Sequence, residues 1–193
     1  MPIKIGNGIF NNGGTAKFGS TSLKEIKYGS ATVWKAQIEL LNSTNGNTWT
    51  FYTYNSSQSN GSGVVESSGN LYIYVSTWIS AWSDIRSVYK KMTECTTASK
   101  VTITYSNSKN NFNTAASWIS ICKTPNNAVF YSGNSGSGEL KATNIGGSAH
   151  TNATITYTFD TPTDLSSYYL CAKASTQGSD NKAWIRLISV IVE

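Results

Sequence analysis

The sequence predicts an all-β fold: an antiparallel β-sandwich or barrel preceded by a small β-meander module. Three observations carry this. Short runs alternate apolar and polar residues with the period of two expected of a strand that has one wet face. Clusters of Gly, Asn and Ser punctuate those runs, while Pro occurs at only 3 positions. No long stretch keeps apolar residues at helical spacing, and many short strands between turn signals close into a sandwich or barrel.

Taken in order, the chain opens with a repeat. Lys17-Phe18-Gly19-Ser20-Thr21-Ser22-Leu23 recurs ten residues later as Lys27-Tyr28-Gly29-Ser30-Ala31-Thr32-Val33. Gly-Ser after an aromatic supplies a tight turn, because Gly accepts positive φ at little cost. The pieces between, Leu23–Tyr28 and Thr32–Lys35, are expected as short strands, so the unit reads as two linked turns of a meander. Some 36 residues of this kind bury little by themselves. The sequence is therefore divided into an N-terminal attachment module, 1–36, and a sandwich domain, 37–193.

In the second part, Gln37–Leu41 leads into a turn cluster at 42–47, and Thr48–Tyr54 is an aromatic strand. Leu71, Ile73 and Val75 alternate with Tyr72 and Tyr74. Lys100–Tyr105 and Ala153–Phe159 alternate in the same way. Ala116–Lys123, Ala128–Ser132, Tyr168–Lys173 and Ala183–Val192 complete the set of strands. One stretch stays open: Trp78, Trp82, Ile85 and Tyr89 have helical spacing, so 80–89 reads either as a short helix or as a loop followed by a strand through 88–93.

Composition excludes several functions. Charged residues make up 13% of the chain, about half the usual share of roughly 25%, and about 70 Ser, Thr and Asn take their place. The net charge of +5 is concentrated near the start: five lysines against Glu25 in residues 1–36, but ten basic and nine acidic groups in 37–193. The larger part thus lacks the basic field that tracks a nucleic-acid backbone, and no nucleic-acid partner is expected. No apolar stretch is long enough for membrane insertion, and the N-terminus lacks a signal peptide's apolar core. Cys95, Cys122 and Cys171 have no CxxC spacing and read as buried, reduced thiols. His150 is the only histidine and sits in a polar run, 146–152, that reads as a solvated loop; it supports neither a triad nor zinc. The ten carboxylates are scattered, which leaves a glycosidase pair unsupported. No cofactor is expected, with structural calcium on Asp160 or Asp164 the one metal reading left open.

The aromatics are the remaining functional candidates. Tyr52, Tyr54, Tyr72, Tyr74, Trp78, Trp82, Trp118 and Tyr131 alternate with apolar positions or sit beside loops. Aromatic faces flanked by Asn, Ser and Thr suit sugar rings, whose CH faces stack while their hydroxyls hydrogen-bond. The bland alternative is that they close the sandwich core. In the N-terminal module, Lys17, Phe18, Lys24, Lys27, Tyr28, Trp34 and Lys35 are candidates for contacts to a partner protein, or else form a solvated strand face.

The stretch Lys17–Lys35, with its Phe-Gly-Ser and Tyr-Gly-Ser turns and closing Val33-Trp34-Lys35, resembles a short module of bacteriophage tail and other virion proteins. The rest, at Lys100–Tyr105, Ile155–Asp160, Tyr168–Lys173 and Trp184–Val192, resembles a jelly-roll domain of the galactose-binding or carbohydrate-binding-module type. The resemblance implies a non-enzymatic virion structural protein, made in a bacterial cytoplasm and carried in multiple copies beside other virion proteins. Its sandwich would bind host-surface or mucosal carbohydrate. A capsid decoration or tail accessory protein without glycan binding is the alternative, and a glycan-degrading enzyme the second.

Overall fold

The computed structural model describes residues 3–5, 8–10, 17–18, 21–22, 25–28, 31–35, 37–54, 63–67, 70–77, 83–108, 115–125, 137–177 and 181–193. The chain separates into two units: Met1–Ile38 with Glu193, and Glu39–Val192.

The first unit contains three antiparallel two-stranded ladders. β1 (Ile3–Ile5) pairs with β2 (Gly8–Phe10), β3 (Lys17–Phe18) with β4 (Thr21–Ser22), and β5 (Glu25–Tyr28) with β6 (Ala31–Lys35). The two copies of the repeat therefore become two successive pairs of strands, with the Gly-Ser dipeptides between them. Glu25 stands opposite Lys35, and Ile26 opposite Trp34.

The second unit is a two-sheet sandwich. Its strands are β7 (Ile38–Leu41), β8 (Thr50–Tyr54), β9 (Gly63–Ser67), β10 (Asn70–Thr77), β11 (Ser83–Lys91), β12 (Ala98–Asn107), β13 (Ala115–Thr124), β14 (Ser137–Asn144), β15 (His150–Thr163), β16 (Tyr169–Gln177) and β17 (Asn181–Val192). One sheet runs β15-β12-β17-β10-β9, with β7 also paired to β17; the other runs β14-β13-β16-β11-β8. From β8 onward only β9–β10 and β13–β14 are consecutive strands of one sheet, and every other connection changes sheet. That winding is the jelly-roll pattern.

Alternation explains the core. Val101, Ile103 and Tyr105 of β12, and Ala183, Ile185 and Leu187 of β17, are buried from the first sheet; Val88, Ile119, Ile121, Leu170 and Ala172 are buried from the second. On β17 the buried positions then jump to Val190 and Val192. The register accounts for this: Thr104 pairs with Ser189 but Tyr105 pairs with Leu187, so Ile188 is an extra, bulged residue. Without that bulge the period of two would turn Val190 and Val192 to the opposite face.

Three polar anchors hold the layers and ends. The Tyr157 hydroxyl, on β15, donates to Ile119 O at 2.8 Å and accepts from Thr143 Oγ1 at 3.0 Å, both in the other sheet. Burial pushes that hydroxyl up to about 12. The buried Asn107 side chain donates to the carbonyls of Ile145 (2.7 Å), Ser108 (2.8 Å) and Ser148 (3.0 Å), and its Oδ1 meets His150 Nδ1 at 2.8 Å. Buried Trp49 donates from Nε1 to Leu40 O at 3.1 Å, which ties β7 to the turn before β8.

Several expectations change. The stretch 83–91 is strand, paired on both sides with β8 and β16, which removes the helical reading of 83–89. His150 opens β15 and is half-buried against Asn107 and the Tyr105 ring, so it is not part of a solvated loop. The aromatic strand begins at Thr50, because Gly46–Thr48 forms a 3-10 turn. The three cysteines form no disulfide and are buried, as expected. The expected strand at 128–132 lies outside the described residues. No helix among the described residues is long and apolar enough to cross a membrane.

Candidate functional site

Register sorts the candidate aromatics by face. Val88, Ala172 and Ile119 stand in one cross-strand row and point into the core. Residues one position along must turn to the other face of that sheet. They form a second row crossing all five strands: Tyr52 opposite Ser87, Ser87 opposite Lys173, Lys173 opposite Trp118, and Trp118 opposite Asn144. Four strand spacings of about 4.8 Å make this row roughly 19 Å long. Tyr54 pairs with Ile85, which pairs with Ser175.

The opposite flank adds two aromatics that sequence reading did not single out as site residues. Tyr89 stands opposite Cys171, and Tyr169 opposite Lys91 and Cys122. The Tyr89 and Tyr169 rings meet edge to face with centroids 5.8 Å apart, and Lys91 Nζ lies 6.0 Å from the Tyr169 centroid. A signal was present: along β16, Tyr169, Cys171, Lys173 and Ser175 alternate with Leu170, Ala172 and Ala174.

The middle of the face is dry. Lys173 is 1% exposed, and Ser87, Ser120, Cys171 and Ser175 are equally closed, so β16 is buried on both faces. Burial holds the Lys173 ammonium below its ordinary range, and the neighbouring Cys171 and Glu139 charges oppose that shift. Burial also pushes the Cys122 thiol up to about 11, which makes it a poor nucleophile near neutrality. Solvent reaches this face at half-buried Trp118, Tyr89 and Tyr169 and at exposed Asn144, Ala142 and Lys91.

The remaining candidates separate. Tyr72 and Tyr74 belong to the other sheet, opposite Arg186 and Trp184. Trp78, Trp82 and Tyr131 lie outside the described residues, as does Lys24. Lys17 and Phe18 are in β3, Lys27 and Tyr28 in β5, Trp34 and Lys35 in β6. Asp160 is exposed, and the exposed Asp164 carboxylate accepts from Ser166 N at 2.8 Å, which lowers its pKa. Among the described residues no three His, Cys, Asp or Glu side chains come together as a metal ligand set. On the aromatic face, Glu139 is the one carboxylate among the described residues, opposite Cys122.

No family model matches this sequence, and no curated protein matches it. Solved structures with a similar backbone include the K3 cleaved adhesin domain of Lys-gingipain from Porphyromonas gingivalis (12% identity, TM-score 0.45, covering 81% of this chain and 98% of that one). Another is a family 11 carbohydrate-binding module from Clostridium thermocellum, in complex with a β-1,3-1,4-mixed-linked tetrasaccharide (8% identity, TM-score 0.39, 81% and 95% covered). A third is a CBM4 structure (15% identity, TM-score 0.40, 76% and 96% covered). The class defined by the chain's own strands is an all-β, two-sheet sandwich.

Proposed function

We propose that this chain is a non-enzymatic carbohydrate-binding protein carried on a bacteriophage particle, attached through residues 1–36 and presenting its sandwich to host-surface or mucosal glycan. The observation that carries the binding reading is the pair Trp118 and Asn144, opposite each other on β13 and β14, where solvent reaches this face of the second sheet. Trp118 offers a ring face to sugar CH groups, and Asn144 beside it offers both a donor and an acceptor to hydroxyls. Neutral polar contacts of this kind match a domain poor in charge. Each contact is weak, and many copies on one particle would raise the total by avidity.

The virion part of the proposal is supported by the Gly-Ser repeat, its Val33-Trp34-Lys35 ending and the lysines concentrated there. A second reading, a capsid decoration or tail accessory protein without glycan binding, is favoured by the dry centre of the row, where Lys173 is 1% exposed. A glycan array probed with a multimerised form of the full chain separates the two. Retention on a defined glycan supports the first reading, and retention on none leaves the sandwich a structural element. Particle attachment is tested separately: a chain lacking residues 1–36 should no longer incorporate into particles, as read by immunogold labelling.

A further inference from the structure

The outer face of the second sheet has another flank that solvent reaches, at the end where β11 finishes and β16 begins. There Tyr169 stands opposite Lys91 on one side and Cys122 on the other, and Tyr89 stands opposite Cys171. Val88, Leu170 and Ala172 are buried in the core, so Tyr89, Lys91 and Tyr169, at alternate positions, share the outer face. The two half-buried rings meet edge to face, with centroids 5.8 Å apart and planes at 78°. They form the walls of a corner rather than a flat stack. The exposed Lys91 ammonium lies 6.0 Å from the Tyr169 centroid.

This cation is available to a ligand. Among the described residues, Lys91 contacts the Tyr169 ring and not a carboxylate. Glu94, in the turn that follows, accepts from Thr93 Oγ1 at 2.9 Å, and Asp164, in the turn before β16, accepts from Ser166 N at 2.8 Å. Glu139, the carboxylate of this face, lies three strand spacings from Lys91, roughly 14 Å. Neighbouring Lys90 is engaged differently, donating to Thr48 Oγ1 at 2.7 Å. Residues 125–136, which join β13 to β14 at the same end, hold no charged group. An ammonium over a ring face keeps N–H donors for an anion.

We infer that Tyr89, Tyr169 and Lys91 form a second subsite on this face that takes an anionic sugar residue, its CH groups against the rings and its carboxylate or sulfate on the ammonium. This rests on the glycan-binding reading above and names the class of glycan, an acidic oligosaccharide. Trp118 and Asn144 hold a neutral residue of the same chain. Trp118 and Cys122 are four positions apart on β13, and Tyr169 is opposite Cys122, so the subsites lie roughly 13 Å apart along the sheet, the span of a short oligosaccharide. A charge-assisted bond is the stronger kind of contact. Residues 37–193 hold ten basic and nine acidic groups, so no broad field draws anions to the domain. Preference for an anion therefore depends on contact at Lys91.

The test measures binding of the multimerised full chain, at physiological salt, to three immobilised pairs: sialyllactose against lactose, polygalacturonate against its methyl ester, and dextran sulfate against dextran. In at least one pair the charged member should be retained about tenfold better than the neutral one. Preference in either of the first two assigns the anion as a carboxylate, and preference in the third alone as a sulfate. Lys91→Gln, at an exposed position, should bring that ratio to about parity, and Lys91→Arg should restore it. Lys141→Gln, which removes the same charge beside Phe159, should leave it unchanged. Equal retention of charged and neutral members, a preference that survives in Lys91→Gln, or an equal loss in Lys141→Gln would overturn the subsite while glycan binding stands. So would retention of none of these probes by a chain that retains a neutral glycan on the array. Retention of nothing on either surface would remove the binding reading and the subsite together.

Discussion

Tyr157→Phe removes one oxygen from the interface between the sheets and keeps the ring that fills it. In the wild type that oxygen bonds Ile119 O at 2.8 Å and Thr143 Oγ1 at 3.0 Å. Two such bonds at a net of about 1 kcal/mol each give an expected loss of about 2 kcal/mol at pH 7. In a domain of this size that lowers Tm by about 4–8 °C. A second signature lies at alkaline pH. The hydroxyl titrates near 10 in an open chain and at about 12 in the fold. Below pH 10 both states hold the proton and the stabilisation is complete. Between pH 10 and 12 the unfolded chain releases its proton first, so stability falls as pH rises. Two pH units correspond to about 2.7 kcal/mol. Cys122, raised from 9 to about 11, begins a similar decline from pH 9 in both proteins. Urea unfolding followed by Trp fluorescence, at pH 7 and in steps to pH 11.5, should show a shallower alkaline decline in the variant. Stability within 0.5 kcal/mol of wild type at pH 7, together with an identical alkaline decline, would refute the bridging role.

Further outcomes follow from other contacts. Asn107→Ala leaves the carbonyls of Ile145, Ser108 and Ser148 without that donor; it should cost about 2–4 kcal/mol, with hydrogen exchange rising first in residues 145–148. Gly138 has φ +65, and an added Cβ would lie 3.1 Å from Lys123 Cβ; Gly138→Ala should lose about 1–2 kcal/mol by chemical denaturation. The buried thiols should resist iodoacetamide at pH 8 in the folded protein and react fully in denaturant, because both burial and the raised Cys122 pKa suppress the thiolate. Rapid labelling of Cys122 or Cys171 in native protein would show that the second sheet opens.

The strands were legible where alternation was clean. Leu71-Tyr72-Ile73-Tyr74-Val75 and Thr154-Ile155-Thr156-Tyr157-Thr158 declare their faces, and both sit in strands of the first sheet. Strands β9 and β14 were not anticipated. β9 is short, and β14 starts inside a Gly/Ser run where Gly138 adopts positive φ, so local composition signals a turn before pairing with β13 imposes a strand. The helical spacing of Trp82, Ile85 and Tyr89 kept that stretch open for a similar reason: two neighbouring strands satisfy the backbone of β11 from both sides, and tertiary pairing outweighs a local pattern. The site was half legible. Tyr52, Tyr54 and Trp118 could be named as aromatics, but their common sheet depends on strand order across β8, β11, β16 and β13, which no local window contains. The same order separates Tyr72 and Tyr74 onto the other sheet. The bulge at Ile188 carries no residue signature, because Ile fits a regular strand equally well.

The central claim is that the outer face of the β14-β13-β16-β11-β8 sheet binds carbohydrate through Trp118. Its most direct test uses the glycan best retained on the array and compares wild type, Trp118→Ala and Trp184→Ala, the last carried by the other sheet, each multimerised to the same valency. The account predicts at least a tenfold loss of binding for Trp118→Ala, equivalent to about 1.4 kcal/mol per site, and wild-type binding for Trp184→Ala. Undiminished binding by folded Trp118→Ala, or no glycan retained by the wild type, would contradict it.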